Sequence, residues 1–326
     1  MTLLEFNQHT MNTDLYGEIY GSGVYPLPSG YIVPRPQEVL DVTAADGATI
    51  IVRRHGNPNG PRLLLSHGCG LASDLYYPYW SLLTDRFEVC LFDMRSHGWN
   101  PAVSTGSFNI PTMVGDSRAV IEAISSSWGE KPCYGVFHSI STIVGLAHQL
   151  EKPDFAALVL FDPALQWPLR GNKTIDDVCR RQARRARRRQ RHFESYCEMA
   201  KMFANAPAYS LIPPDVLMLL AETTLRYAEG GGYELRCSPE QEAQLYEWYF
   251  GFSMQIIDKL DSYDIPLKAI GADPTFQRSF IPSFNLSKLS KFEYDFLPDK
   301  THFLQLEAPE ECATLTVEFL EQHGLA

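Results

Sequence analysis

The chain has no Cys-x-x-Cys pair, and its seven cysteines (Cys69, Cys90, Cys133, Cys179, Cys197, Cys237 and Cys312) are odd in number and scattered. Neither a disulfide framework nor a zinc site is suggested, so the thiols read as reduced. Long apolar runs are also missing: nothing approaches the roughly 20 residues of a membrane span. The first residues, MTLLEFNQHTMNTDLYGEIY, lack a basic stretch followed by an apolar one. The expectation is a soluble, cytoplasmic protein with no membrane partner, in which the sequons at Asn172 and Asn285 would not meet the glycosylation machinery. Positive charge is scarce, with 28 Lys and Arg against 39 Asp and Glu and a formal charge of -11. General attraction to nucleic acid is thereby disfavoured. There is no H-E-x-x-H, no P-loop and no G-x-G-x-x-G after a strand, so no metal or organic cofactor is implied.

What the sequence does have is a chain of 326 residues with 45% hydrophobic content, long enough for a sizeable core. Residues 1–36 are rich in Gly, Pro and Tyr without periodicity and read as an amino-terminal arm. Eight short apolar runs follow: VLDVTAADG, ATIIVRRHG, RLLLSHG, FEVCLFDM, CYGVFHS, ALVLFDP, PLKAIGAD and FEYDFLP. The first two face each other across Ala44-Ala45-Asp46-Gly47, a hairpin signal. The next four are nearly continuous in hydrophobicity, as strands buried on both faces of a parallel sheet are.

Helix-length stretches alternate with these runs, at LYYPYWSLLTD, PTMVGDSRAVIEAISSSW and SISTIVGLAHQLE. The fold class expected is α/β, a doubly wound, mostly parallel eight-stranded sheet. The alternation divides the chain into a first core part at 37–165, an inserted helical cap or lid at 166–261, and a second core part at 262–326. In the insert, Cys179, Ala183, Ala186, Gln190, Phe193 and Cys197 recur at helical spacing as a narrow, mostly small-residue seam.

Ser139, in YGVFHSIST, stands where a buried strand turns directly into a helix, the context that raises a serine oxygen above a sheet edge. A serine hydroxyl needs a histidine to accept its proton and a carboxylate to orient that histidine. Asp273 in AIGADPTF and His302 in LPDKTHFLQLEAPEE follow in the chain order Ser, Asp, His expected on such a sheet. Asp162, after the sixth run in LVLFDP, is the alternative acid. A tetrahedral intermediate also needs backbone donors. The loop His67-Gly68-Cys69-Gly70, with its permissive glycines, points to the N–H groups of Cys69 and Ile140.

Taken in order, SHGCG, FDMRSHGWNP, FHSIS, GADP and THFLQLEAPEE resemble the α/β-hydrolase superfamily over roughly residues 37–165 and 262–326, with the middle segment as its variable cap. The resemblance implies a serine hydrolase, and the primary expectation is a carboxylic ester cleaved through an acyl-enzyme, with a small ester-type molecule as substrate. Thioester or carbon–carbon bond cleavage on the same residues is the alternative within enzymes. The superfamily's elbow carries small residues two positions either side of the nucleophile; Ser141 fits and Phe137 does not, which favours a non-catalytic small-ligand binder as the rival from another class.

Gly68 and His138 are expected beside the substrate, and Tyr76, Trp80 and Trp248 are candidate pocket walls. His67 reads as shaping the oxyanion loop, and Asp93 with Arg95 as pinning a loop. Eight of the twelve positions from Arg180 to Arg191 are arginine. Such a run is first a solvated or internally paired face, with a homo-oligomer contact or an anionic substrate group as alternatives.

Overall fold

The computed structural model describes residues 29–163, 165, 174–275 and 286–326. Most of the expected arm, the start of the insert at 166–173 and the sequons at Asn172 and Asn285 lie outside the described residues. The hairpin forms as expected, with β1 (Glu38–Thr43) and β2 (Thr49–Gly56) antiparallel and Glu38 opposite Arg54. Its turn closes on Gly47, whose φ of 84° suits a residue without Cβ and whose N–H donates to the Ala44 carbonyl at 2.9 Å.

Next come β3 (Arg62–Ser66), β4 (Glu88–Phe92), β5 (Cys133–His138) and β6 (Phe155–Phe161). The small strands β7 (His192–Phe193), β8 (Leu225–Tyr227) and β9 (Tyr233–Leu235) belong to the insert. The last two, β10 (Leu267–Gly271) and β11 (Glu293–Phe296), rejoin the main sheet. The main sheet has eight strands in the order β1-β2-β4-β3-β5-β6-β10-β11. All pairs from β4 onward in that order are parallel.

The near-continuous hydrophobicity of the central runs has a direct explanation. Alternate residues of a strand point to opposite faces, and both faces are covered. Leu63, Leu65, Val89, Leu91, Tyr134 and Val136 enter one core. Leu64, Cys90, Phe92, Cys133 and Phe137 enter the other. Helices α1 (Ile110–Trp128) and α2 (Ile140–Glu151) cover the second face. The first face is covered largely by α7 (Pro309–Gln322) and the stretch 73–83. That stretch, expected as one helix, is instead three short turns at Ser73–Tyr76, Tyr77–Trp80 and Ser81–Leu83.

Between β6 and β10 the described chain forms α3 (Thr174–Ala186), α4 (Tyr196–Ala204), α5 (Pro214–Thr224) and α6 (Pro239–Asp258), with a three-stranded sheet in the order β7-β9-β8. The small-residue seam is buried at Cys179, Ala183 and Ala186, where α3 packs on Ala243 of α6. The expectation of one continuous helix through Cys197 fails. α3 ends at Ala186, Gln190 and Cys197 are exposed, and Phe193 is buried in a strand.

Helix α6 begins with a capping box, in which Ser238 Oγ accepts from the Gln241 N–H and the Gln241 side chain accepts from the Ser238 N–H. The Gln241 amide then donates to Ser96 Oγ at 2.8 Å and to the Val103 carbonyl at 2.9 Å, tying the insert to the loop after β4. No helix among the described residues is long and apolar enough to cross a membrane.

Candidate active site

Strand β5 ends at His138 and α2 begins at Ile140, so one residue, Ser139, makes the whole turn, with φ of 56° and ψ of -119°. A non-glycine residue held there costs about 1–3 kcal/mol and persists only where the surroundings over-determine it. Here they do. The Ser139 N–H donates to the Phe161 carbonyl at 3.0 Å, and the Ser139 carbonyl accepts from the Thr142 N–H at 3.1 Å. The His138 N–H donates to Ser141 Oγ at 3.0 Å, giving that small residue after the serine a structural task.

Phe137 is accommodated by two glycines. A Cβ built on Gly135 would sit 2.5 Å from the Phe137 ring, and one on Gly145 of α2 would sit 2.4 Å from it. The ring lies edge-on to Phe155 at 5.6 Å, away from the serine and in the core beneath α2. The space usually made beside the nucleophile is made four residues before it and six after.

His302 lies in the loop between β11 and α7, 3% exposed. Its Nε2 is 2.9 Å from Ser139 Oγ and its Nδ1 is 2.5 Å from Asp162 Oδ2. With Nδ1–H donating to the carboxylate, Nε2 is left to accept from the serine hydroxyl. The other Asp162 oxygen accepts from the Ala272 N–H at 3.1 Å, which fixes the carboxylate.

The expectation for Asp273 is therefore corrected. Its carboxylate accepts from the Thr275 N–H at 2.8 Å and the Asp299 N–H at 2.9 Å, closing its own turn against the neighbouring loop. The reason is sheet order. Asp162 follows β6, which pairs directly with β5, the strand leading into Ser139, and Phe161 lies opposite His138; Asp273 follows β10, one strand further out. Both ring nitrogens of His302 are already engaged.

The loop after β3 is held by side chains whose donor and acceptor roles follow from one another. The Gly68 N–H donates to the Tyr76 hydroxyl oxygen at 3.1 Å, and the Gly70 N–H donates to His97 Nε2 at 3.1 Å. His67 Nε2 accepts from the Met94 N–H at 3.0 Å, so its Nδ1–H donates to the Gly68 carbonyl at 2.8 Å. With both flanking N–H groups consumed, the Cys69 N–H is left without an acceptor among the described residues, as is the Ile140 N–H at the start of α2. Burial, with Glu242 nearby, pushes the Cys69 thiol well up, so it stays neutral.

His138 links this loop to His302. Its Nε2 lies 2.8 Å from the His302 carbonyl and must donate; its Nδ1, 2.6 Å from the Tyr76 hydroxyl, must accept. Burial, then the neighbouring His302, push its pKa well below the ordinary histidine value. Gly68 has to be glycine, because a Cβ there would stand 2.8 Å from His138 Nδ1.

Above Ser139 is a cavity of about 300 Å³. Gly68 and His138 line it as expected. Tyr76 is absent from its lining and bonds His138 and Gly68 instead. Trp80 is fully buried, its indole N–H donating to the Ser73 carbonyl, and Trp248 is 44% exposed; neither lines the cavity. The aromatic walls are Phe203, Tyr209, Tyr246 and Phe303, and the polar ones include Arg185, Arg189 and Glu242. Only the spacing within the arginine run could have pointed to the last group: Gln182, Arg185, Ala186 and Arg189 sit at i, i+3, i+4 and i+7, and all four face the cavity.

A mostly parallel eight-stranded sheet with a serine on the sharp turn between its central strand and the following helix defines an α/β-hydrolase. Residues 58–229 match the family described as serine aminopeptidase, S33 (Hydrolase_4), and the chain belongs to it. A curated relative, pimeloyl-[acyl-carrier protein] methyl ester esterase of Methylococcus capsulatus, is 31% identical over 87 residues, 27% of this chain and 30% of that protein. The matches span 30% to 37% of the length of the curated relatives. Among solved structures, E-2-(acetamidomethylene)succinate hydrolase superposes with a TM-score of 0.71 at 19% identity, over 87% of this chain and 99% of that one. A thioesterase domain from the curacin biosynthetic pathway gives 0.68 at 17% identity, over 86% and 99%. At these identities the structural likeness is one of fold.

Proposed function

We propose that the protein hydrolyses a small carboxylic ester through an acyl-enzyme formed on Ser139. The observation that carries this reading is His302 lying between Ser139 Oγ at 2.9 Å and Asp162 Oδ2 at 2.5 Å. His302 Nε2 takes the hydroxyl proton as Ser139 attacks the ester carbonyl, then gives it to the departing alcohol. Water, deprotonated by the same nitrogen, releases the acid. Asp162 holds the imidazole and stabilises its protonated form. The N–H groups of Cys69 and Ile140 receive the oxyanion, a role supported by their lack of other acceptors among the described residues.

The described part of the insert, residues 174–261, acts as a cap over this site, a reading supported by the cavity walls drawn from α3, α4 and α6. The name of the Methylococcus relative supports an ester as substrate. The family description names an aminopeptidase, but a substrate with a free ammonium group would meet Arg185 and Arg189 in the cavity, with Glu242 already paired to Arg189. A turnover assay on p-nitrophenyl esters with fluorophosphonate labelling tests the proposal. Ser139→Ala should abolish labelling and reduce kcat by at least about a thousandfold; an unchanged rate would overturn the assignment.

A further inference from the structure

We infer that the cavity above Ser139 is built for an ester carrying one carboxylate, gripped by Arg185 and Arg189. The inference rests on the serine-hydrolase reading for its chemistry and on the cavity itself for its charge. Among the described residues lining the cavity, two guanidinium groups are opposed by one carboxylate, that of Glu242. His138 adds no charge, since burial keeps it neutral.

Ion pairing does not by itself separate the members of the arginine run, since Arg181, Arg184 and Arg188, like Arg185, have no ion pair among the described residues; what sets Arg185 and Arg189 apart is that they line the cavity. Arg187 is spent on Glu240 at 2.8 Å and Glu247 at 2.7 Å, and Arg191 on Glu234 at 2.9 Å. Arg185, one residue from the end of α3, has no ion pair among the described residues. Arg189 donates to Glu242 through Nη1 alone and rests its guanidinium on Phe203, with its carbon 5.6 Å from the ring centroid. Nε and Nη2 of Arg189 have no acceptor among the described residues. Arg185 is exposed at the cavity rim and Arg189 is partly exposed, with donors left over that a planar, bidentate oxygen acid in the cavity can engage.

One surplus positive charge fits a monoanion, and a carboxylate is the monoanion whose geometry matches the fork. The remaining walls, Met202, Phe203, Tyr209 and Phe303, suit the hydrocarbon that joins that carboxylate to the ester.

The carboxylate can sit on either half of the ester, and paired substrates separate the two. On the acyl side, p-nitrophenyl hydrogen glutarate is compared with p-nitrophenyl pentanoate; on the alcohol side, 4-acetoxybenzoate with 4-acetoxybenzamide. In one arm the anionic member should have a kcat/KM at least about tenfold higher. That ratio should collapse towards one in Arg185→Gln and Arg189→Gln, fall less in Arg189→Lys, and shrink as salt is raised. A ratio near one in both arms, or a preference that survives both Gln variants, would overturn the inference.

A second measurement needs no turnover. Glutarate should raise the melting temperature of the Ser139→Ala protein where glutaramide does not, and Arg189→Gln in the same background should remove the effect. If fluorophosphonate fails to label Ser139 while glutarate still stabilises the protein, the hydrolase reading falls and the anion site stands.

Discussion

Asp162 and Asp273 both follow strand ends, yet it is Asp162 that lies 2.5 Å from His302 Nδ1, and the difference is one strand of the sheet. Asp162→Asn should leave the packing intact but remove the acceptor that fixes the Nδ1–H tautomer, lowering kcat by about three orders of magnitude. Asp273→Asn should change kcat by less than about fivefold and act on stability through the Thr275 and Asp299 contacts. Initial rates on one p-nitrophenyl ester decide between them, and a larger loss at residue 273 would return the acid to its sequence-based position. Tyr76→Phe tests the loop behind the oxyanion. It strips the acceptor from the Gly68 N–H and the donor from His138 Nδ1, two buried groups whose loss costs about 1–3 kcal/mol each. Because the loop carrying the Cys69 N–H loses its anchor, kcat should fall about 10-fold to 100-fold with KM changed by less than threefold. A fall in stability alone, with kcat intact, would make Tyr76 a packing residue only.

At the scale of elements, the strand-to-helix turn shows what could be read from the sequence and what could not. The position of Ser139 between an apolar run and a helical one was legible, because strand and helix periodicity change there. The fate of Phe137 was not, since it depends on Gly135 and Gly145 facing each other across the β5–α2 crossing. Gly145→Ala should therefore be destabilising by about 1–3 kcal/mol, although alanine is the better helix former. Combining it with Phe137→Ala should cost less than the two separate losses added together, a coupling that urea denaturation of the four proteins measures. Strict additivity would mean the ring and the glycine are independent. In the insert, the seam through Cys179, Ala183 and Ala186 was readable, but the helix end after Ala186 was not. Arginine favours helix as strongly as its neighbours do, so the run carries no stop signal, and the chain beyond α3 goes on to pair β7 with β9. The pairing of Asp162 with His302 belongs to the same category, since strand order and register are not written in either strand alone.

Over the whole molecule, the eight runs of the sequence are the eight strands of the main sheet; burial on both faces leaves a near-continuous hydrophobic signal in the central ones, while the edge strands β1 and β11 are only partly buried. The same burial encloses histidines that the apolar pattern does not reveal. His55 and His97 are each held down at about 3, His55 by burial and then Arg53, His97 by burial and then His67. Burial likewise lowers His67 and His138. Each is neutral in the folded protein, and for His67 and His97 the bonds described above require it. Between the folded and unfolded pKa values only the unfolded chain binds the proton. The stability these residues contribute is therefore complete above about pH 6.5 and declines as the pH falls towards 3, by up to about 1.4 kcal/mol per pH unit for each. Urea denaturation followed from pH 8 to pH 5 should show a plateau and then a loss of at least about 2 kcal/mol by pH 5. His97→Gln keeps an acceptor for the Gly70 N–H while removing one titrating group, so its profile should be shallower by about one proton. A wild-type profile that stays flat to pH 5 would mean that these rings accept protons in the folded state, and the hydrogen-bond roles that leave the Cys69 N–H available would no longer hold.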